Sequence, residues 1–499
     1  MLQNQDLEKL NKIQLIEHLG VVQKNYFRIF AGPVIFLILL LLPVIWPDFY
    51  LEWQESGALG MLIWMTWWWV EGSVHVAITA LVPLFVTAIF PIAPAAEVVE
   101  VYSNPIVFLI AGSCLIGATW KRWGLGKRIS LNLLVLVGNK VRSQVWIWFI
   151  LSAFISGFIA DTITAAVFVP VAASLLSFSG FDTNSKVWES GSATAILLAV
   201  AWGASIGSLF TPIGGGQNLV IYEFLGELKG SSVSFYRWFV NLAPFSLVLI
   251  PLVGCYLNYV VLRENPSLEG KEEFYKKELG HMGPLSRGEL VSGLVFVIPV
   301  LAAFLHPIYE ELLPWFEPPF LFFAAGFSLF FIPAERNENV LSFRAMKFFP
   351  INVLVVWPSA LALAEVLEIS GLAASIMELL RVFAGPLTFG VLLIFLGFVT
   401  FVTNISTNTA SAALVIPIII GMYVEQGLNP IPLVLALVAA VNLAFAIPSG
   451  NGCLAMASGY GLNLRTMFKH GLILSIITLL VATGLAYLLA NYTAWWGVI

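Results

Sequence analysis

The chain has 499 residues, of which 59% are hydrophobic and only 11% are charged, and its mean hydropathy is +0.91. A soluble protein of this size carries about 25% charged residues, so the composition excludes a water-soluble globular domain. The apolar runs reach the roughly 20 residues that cross a bilayer, which predicts an all-α membrane protein with several spans. The net charge of −5 says little, because the distribution of charge along such a chain matters more than its sum.

The predicted elements begin with a polar N-terminal lead at 1–28, for which no cleavable signal peptide is expected. A first half at 29–263 and a second half at 290–499 are separated by a polar linker at 264–289. The apolar segments that predict spans in the first half lie near 29–47, 57–71, 74–92, 104–120, 191–226 and 235–262. Those of the second half lie near 290–308, 318–334, 350–367, 431–460 and 470–492.

Two further apolar runs, 145–177 and 385–422, each contain a short polar stretch, and the two stretches are similar at a constant offset of 247 residues. The identical pairs are Thr162 and Thr409, Ala165 and Ala412, Ala166 and Ala413, and Pro170 and Pro417. The same offset places Gly124 on Gly371. Internal symmetry combined with interrupted apolar helices is typical of a transporter's binding site. Each run fits either one kinked span or a re-entrant helical hairpin, and the distribution of basic residues favours the hairpin.

The basic residues predict the orientation of the chain. With two hairpins and a cytoplasmic N-terminus, 20 of the 24 Lys and Arg residues fall on the cytoplasmic side. This arrangement has eleven transmembrane helices in two inverted repeats. It places the hairpin at 145–177 on the cytoplasmic side and the hairpin at 385–422 on the outer side of the cell (cytoplasmic) membrane.

Each hairpin tip carries residues that cap helices. Asp161 and Thr162 in the first tip, and Asn408 and Thr409 in the second, are strong N-capping types, and capping alone is one interpretation. The other is functional, because the N-terminus of a half-helix carries a partial positive charge and free N–H donors that attract anions. Two such termini approaching from opposite sides would bind a molecule with two carboxylates.

Two Pro-x-Gly-x-Gly sequences, at 212–216 and 448–452, interrupt later apolar segments. Proline removes a backbone donor and glycine permits unwinding, so the freed carbonyl groups can face a cation or a substrate. Close packing of helices is the alternative use of such glycines. Two matched sequences favour a binding role.

Several stretches carry a family resemblance, namely 104–108, 123–129, 278–280 and both hairpin tips with the Ala-Ala-x-x-x-Pro that follows each. From about residue 55 to its end the chain resembles the divalent anion:sodium symporter family of dicarboxylate, citrate and sulfate transporters. The resemblance implies a homodimer in the lipid bilayer, in which scaffold domains hold mobile transport domains that move like elevators. It implies no organic cofactor and two Na⁺ sites.

The family's Ser-Asn-Thr tips and unwound loops imply the site residues of this chain. The residues implied to bind substrate are Asp161, Thr162, Gly215, Thr407, Asn408, Thr409 and Asn451. Those implied to hold Na⁺ are Ser156, Asp161 and Gly214 in one site and Thr403, Asn408 and Gly450 in the other. The chain departs from the family at the first tip, Ala160-Asp161-Thr162, and at the tandem prolines, which are replaced by Gly216-Gln217 and Gly452-Cys453.

These features predict a secondary transporter of C4/C5 dicarboxylates of the succinate, malate or 2-oxoglutarate type. Asp161 could bind Na⁺, be protonated, or pair with an ammonium group, since a carboxylate at membrane depth is a functional candidate. Exchange of anions is preferred over Na⁺- or H⁺-coupled symport, and citrate, sulfate or a zwitterionic amino or sulfonic acid remain alternative substrates. A passive channel and an intramembrane enzyme are remote alternatives. The chain has no His-Glu-x-x-His and no Gly-x-Ser-x-Gly, so we expect no enzyme, and no nucleic-acid partner.

Overall fold

The protein is built almost entirely from α-helices. The computed structural model describes residues 26, 28–46, 49–71, 74–135, 140–178, 191–230, 233–262, 271–335, 338–343, 351–380, 385–448, 450–460, 462–493 and 495–496. Most of the predicted N-terminal lead and residues 264–270 of the predicted linker lie outside these ranges. One short antiparallel pair of strands is present among the described residues, β1 at Pro333–Glu335 and β2 at Glu338–Asn339.

The helices of the first half lead up to the linker. They are α1 (Arg28–Ile45), α2 (Trp53–Glu71), α3 (Val76–Thr79), α4 (Val82–Ile89), α5 (Ala95–Val101), α6 (Pro105–Trp123), α7 (Leu125–Val135), α8 (Val141–Ser156), α9 (Asp161–Phe178), α10 (Gly191–Gly207), α11 (Gly216–Lys229) and α12 (Phe235–Tyr256). Two 3₁₀ turns, Ser208–Phe210 and Pro212–Gly214, separate α10 from α11, and a π-helical turn at Leu257–Val261 extends α12.

The linker contains α13 (Lys271–Met282). The second half follows with α14 (Arg287–Tyr309), α15 (Pro318–Ser328), α16 (Ile351–Ile369), α17 (Leu372–Leu380), α18 (Phe389–Ile405), α19 (Asn408–Glu425), α20 (Ile431–Val441), α21 (Gly452–Gly459) and α22 (Leu464–Tyr492). Among the described residues, seven helices are long and apolar enough to cross a membrane, and several shorter apolar helices lie between them. The predicted multi-pass α-helical architecture is thereby confirmed, whereas the number of eleven spans stays a prediction.

The internal repeat is visible in the helix boundaries. Helices α9 and α19 both have 18 residues and begin at Asp161 and Asn408, which are 247 positions apart. Gly124 and Gly371, related by the same offset, both adopt the left-handed backbone conformation, with φ of 77° and 84°. A residue with a side chain rarely adopts this conformation, so glycine ends the preceding helix in each half.

Each hairpin run folds back on itself at its polar stretch. In the first run the rings of Trp148 on α8 and Phe168 on α9 lie 6.1 Å apart, and in the second those of Phe395 on α18 and Tyr423 on α19 lie 6.2 Å apart. Each pair joins residues well away from the helix break on its two sides, so the two helices of each run lie antiparallel. The side of the membrane from which each hairpin enters stays a prediction.

The first hairpin is held by α10, whose residues are almost all fully buried. A Cβ atom added at Gly203 or Gly207 would collide with the backbone carbonyl of Phe149 or Ala153 on α8. Because only glycine allows this approach, the two helices pack at backbone distance, as small residues permit in membrane proteins. This contact positions the loop between α10 and α11 beside the first hairpin tip.

Candidate functional site

Four helix N-termini meet in two pairs, one at each hairpin tip. A Cβ atom at Gly452, where α21 begins, would lie 2.7 Å from Cγ2 of Thr162 near the start of α9. A Cβ atom at Gly216, where α11 begins, would lie 2.9 Å from Oγ1 of Thr409 near the start of α19. Each hairpin tip therefore lies against the unwound loop of the opposite half of the chain. Thr162 and Gly452 are exposed, so the described part of the chain does not cover this meeting point.

The second tip is ordered by short hydrogen bonds. Oγ1 of Thr407 accepts from the N–H of Ala410 at 3.2 Å, which caps α19. The Thr403 hydroxyl lies 2.6 Å from Oδ1 of Asn408 and 2.9 Å from the carbonyl oxygen of Val441. The N–H of Asn408 donates to the carbonyl of Gly450 at 3.2 Å. The structure thus brings together Thr403, Asn408 and Gly450, the residues predicted for the second cation site.

Two carbonyl oxygens that could contact a cation lie beside Gly450. A Cβ atom added there would collide with the carbonyl oxygen of Thr403 and would lie 2.9 Å from that of Asn404. Both carbonyls belong to the last turn of α18, where helix carbonyls lack intrahelical partners. We call the carbonyl oxygens of Thr403 and Asn404, with Oδ1 of Asn408, the second-tip oxygen cluster. Half-helix C-termini and unwound carbonyls of this kind coordinate Na⁺ in transporters, so the residues present fit this ion.

The first tip is organised around Asp161, which is only 7% exposed. Its Oδ1 accepts from the N–H of Thr162 at 2.6 Å, and the side chains of Gln217 and Cys453 face its carboxyl group. Ser156 instead donates to the carbonyl of Ala204 at 2.6 Å. In the described part of the chain, no hydrogen bond joins Ser156, Asp161 and Gly214, the residues predicted for the first cation site.

Gly215 and Asn451, two residues predicted to bind substrate, have contacts that the sequence did not indicate. A Cβ atom at Gly215 would collide with the side-chain amide of Gln217, so this amide covers the glycine backbone. Asn451 donates to the hydroxyl of Ser205 at 2.6 Å and accepts from the N–H of Cys453 at 2.8 Å. Asn451 therefore caps α21 and ties it to α10.

A buried polar network links the loops to α20. Oδ1 of Asn442 accepts from Nε2 of Gln217 at 2.7 Å and from the hydroxyl of Ser208 at 2.8 Å. Its Nδ2 donates to Oδ1 of Asn218 at 3.0 Å, and all four residues are at least 97% buried. Sequence reasoning missed this network. The signal that could have identified it is the single Asn442 in an otherwise apolar segment, because polar residues at membrane depth are expensive and usually functional.

Asp161 is the one formally charged residue among those predicted for the site. The ion pairs found in the described part of the chain lie elsewhere, and the groups that face Asp161 are neutral. The four helix N-termini contribute partial positive charges, which favour anions. Chemically, these helix N-termini can bind anionic groups, and the second tip can hold a small cation.

Comparisons with known proteins find one family model, several related sequences and one similar structure. The family model described as the sodium:sulfate symporter transmembrane region matches residues 23–499. The sodium-dependent dicarboxylate transporter SdcS of Staphylococcus saprophyticus is 27% identical over 476 residues, covering 92% of this chain and 90% of that protein. SdcS of Staphylococcus aureus is 25% identical over 504 residues, covering 94% and 96%. The YdaH transporter of Alcanivorax borkumensis matches with a TM-score of 0.47 and 14% identity, over 78% of this chain and 86% of that one.

Proposed function

The chain belongs to the sodium:sulfate symporter family, as the resemblance predicted, and from this membership we propose that it is a secondary active transporter of C4/C5 dicarboxylates. The observation that carries the proposal is the meeting of four helix N-termini, each tip lying against the loop of the opposite half. Such a site offers two separate places for anionic groups, as a dicarboxylate requires. The names of the SdcS relatives support the same substrate class.

Transport proceeds by elevator-type alternating access in this proposal. The two hairpins, α8–α9 and α18–α19, together with α10, α11, α20 and α21, carry the site as one unit. Helices α6, α14 and α15 belong to the scaffold, since Gly112 on α6 packs against the backbone of Phe322 on α15. The working protein is a homodimer in the cytoplasmic membrane, with its N-terminus in the cytoplasm.

Exchange of one dicarboxylate for another is the preferred mode. Its support is the first tip, where the residues predicted for a cation site share no hydrogen bond in the described part of the chain. Sodium-coupled uptake is the second candidate, and the second-tip oxygen cluster favours it. The relatives named as sodium-dependent also favour it.

Uptake of labelled succinate into proteoliposomes tests the proposal, with a Na⁺ gradient present or absent and unlabelled dicarboxylate present or absent inside. Exchange requires internal dicarboxylate and does not depend on Na⁺. Symport instead gives uptake of labelled succinate into vesicles without internal dicarboxylate when a Na⁺ gradient is present. Asn408→Ala should abolish uptake in either mode, because Asn408 stands at the second tip. Asn132→Ala, on an exposed face of α7, is the matched control.

Two outcomes would contradict the proposal. Uptake that does not saturate and needs neither gradient nor counter-substrate would indicate a passive channel. No uptake under any of the four conditions would exclude succinate-type dicarboxylates as substrates.

A further inference from the structure

Asn442, which follows the last residue of α20, has every hydrogen-bonding position of its side chain occupied. Its Oδ1 accepts from Nε2 of Gln217 at 2.7 Å and from the hydroxyl of Ser208 at 2.8 Å. Its Nδ2 donates to Oδ1 of Asn218 at 3.0 Å and to the carbonyl of Val438 at 2.8 Å. An asparagine side chain has two acceptor lone pairs and two N–H donors, so none remains for a ligand. Asn442 can therefore act on the site only through the residues that it holds.

The residues held by Asn442 determine where α11 begins. Gln217 and Asn218 are the second and third residues of this helix. Nδ2 of Asn218 also donates to the carbonyl of Ser208 at 2.7 Å and to that of Thr211 at 3.3 Å, both in the turns that precede α11. The first turn of α11 and the loop before it are thus joined to one side chain from the other half of the chain.

The last residue of α20 holds the second tip in addition. The carbonyl of Val441 accepts from the hydroxyl of Thr403 at 2.9 Å, and this hydroxyl lies 2.6 Å from Oδ1 of Asn408, the first residue of α19. At the start of α11, a Cβ atom on Gly216 would lie 2.9 Å from Oγ1 of Thr409. The end of α20 therefore holds both of the helices whose N-termini meet at the second tip.

The spacing of these two N-termini decides what they can bind. Each offers N–H groups without intrahelical partners and a partial positive charge, and both features favour an anion. A carboxylate has two oxygens and can be shared by two N-termini that already stand at the right distance. A site whose donors are fixed beforehand does not lose binding energy in ordering them. The side chains that fix α11 are at least 97% buried, where hydrogen bonds are strong and make the structure rigid, and they are Ser208, Gln217, Asn218 and Asn442.

We propose that Asn442 is a positioning residue of the substrate site. Through Gln217 and Asn218 it keeps the N-terminus of α11 against the second tip, where the N-termini of α11 and α19 together bind one carboxylate of the dicarboxylate. This inference rests on the proposed function. The side chain of Asn442 does not contact the substrate in this role, since its own hydrogen-bonding positions are occupied.

Binding of succinate to the purified protein in detergent tests the inference. The dissociation constant follows from the rise in melting temperature with succinate concentration, measured at one fixed Na⁺ concentration. Asn442→Ala should weaken binding about tenfold, a typical size for residues that act on a site through others. The unfolding transition without succinate shows whether each variant is folded.

Asn258→Ala is the matched control. Asn258 is fully buried, and its Nδ2 donates to the carbonyl of Gly254, four residues earlier, as that of Asn442 does to Val438. The substitution removes the same groups from a buried position outside the site. It should lower the melting temperature and leave the dissociation constant of succinate unchanged.

A double variant tests whether Asn442 acts through α11. Asn218→Ala breaks the same link from the other side and should also weaken succinate binding about tenfold, so it tests the inference even if Asn442→Ala does not fold. Because the two substitutions remove one shared restraint, the double variant should weaken binding by much less than the product of the two single effects. A general loosening of the fold predicts no such relation between the two positions.

The outcomes separate this inference from the proposed function. A dissociation constant unchanged in both Asn442→Ala and Asn218→Ala overturns the inference, and so does equal weakening in Asn258→Ala. Single effects that multiply in the double variant overturn it as well, because Asn442 then acts by another route. If succinate neither stabilises the unaltered protein nor enters proteoliposomes, the proposed function is wrong, and this inference is rejected with it.

Discussion

Thr403 is the residue on which the geometry of the second tip depends most directly. Its single hydroxyl reaches both Oδ1 of Asn408 and the carbonyl of Val441, and its own carbonyl belongs to the second-tip oxygen cluster. Thr403 is fully buried one turn before the helix break. A change at this side chain therefore alters the position of Asn408 without removing a cluster oxygen.

Thr403→Val should weaken Na⁺ binding about tenfold, equivalent to about 1.4 kcal/mol, because Asn408 loses the donor that orients it. The valine has nearly the same shape, so packing is retained. The measurement is the Na⁺ concentration that half-maximally raises the melting temperature of the purified protein. Thr403→Ser keeps the hydroxyl and serves as the control, which should match the unaltered protein. If Thr403→Val and Thr403→Ser reached half of the rise in melting temperature at the same Na⁺ concentration, that result would argue against a cation at this cluster.

At the scale of elements, the linker helix α13 and the start of α14 are fastened to α7 by two ion pairs of different burial. Arg128 on α7 contacts Glu289 on α14 at 2.6 Å, and their side chains are 14% and 2% exposed. Arg128 also donates to the carbonyl groups of Met282 and Gly283 at the end of α13. Lys127 and Glu278 pair at 2.5 Å with more exposed side chains, 37% and 24%.

Arg128→Ala should lower the free energy of unfolding by about 3 kcal/mol, because Glu289 is left buried without its partner. Lys127→Ala should cost under about 1 kcal/mol, since exposed pairs contribute little. Thermal unfolding in detergent measures the loss of stability in each of the two alanine variants. The double variant Arg128→Met with Glu289→Leu should recover part of the loss, because it removes both charges. An equal effect of the two alanine variants would contradict the role assigned to burial.

At the scale of the whole molecule, the predicted orientation places α13 in the cytoplasm and the loop after α14 outside. Both regions offer exposed positions, at Lys277 and Glu311. Of the three cysteines, Cys114 and Cys453 are buried and Cys255 is exposed, so a Cys255→Ser background is suitable for labelling from outside the cell.

In that background, a membrane-impermeant thiol reagent should label Glu311→Cys in intact cells and should not label Lys277→Cys. The reason is the asymmetry of Lys and Arg, which retains basic segments on the cytoplasmic side. Both variants should be labelled after the cells are permeabilised, which confirms that the positions are accessible. Labelling of Lys277→Cys in intact cells would show that the orientation is wrong.

Features that depend on local sequence were predictable. The multi-pass class follows from apolar run length, and the helix breaks before Asp161 and Asn408 follow from capping residues within apolar runs. Repetition at a fixed offset predicted the equivalence of Gly124 and Gly371. Each of these properties is determined by residues close together in the chain, so pattern and composition are sufficient to predict it.

Only the tertiary structure decided which segments meet. The sequence alone determined two tips and two loops, but not that Thr162 lies against Gly452 and Thr409 against Gly216. The meeting of Asp161 with Cys453 likewise joins segments that local pattern treats separately. The physical reason is that periodicity and charge report the surroundings of a helix, whereas contacts between residues far apart in the chain depend on how closely helices pack.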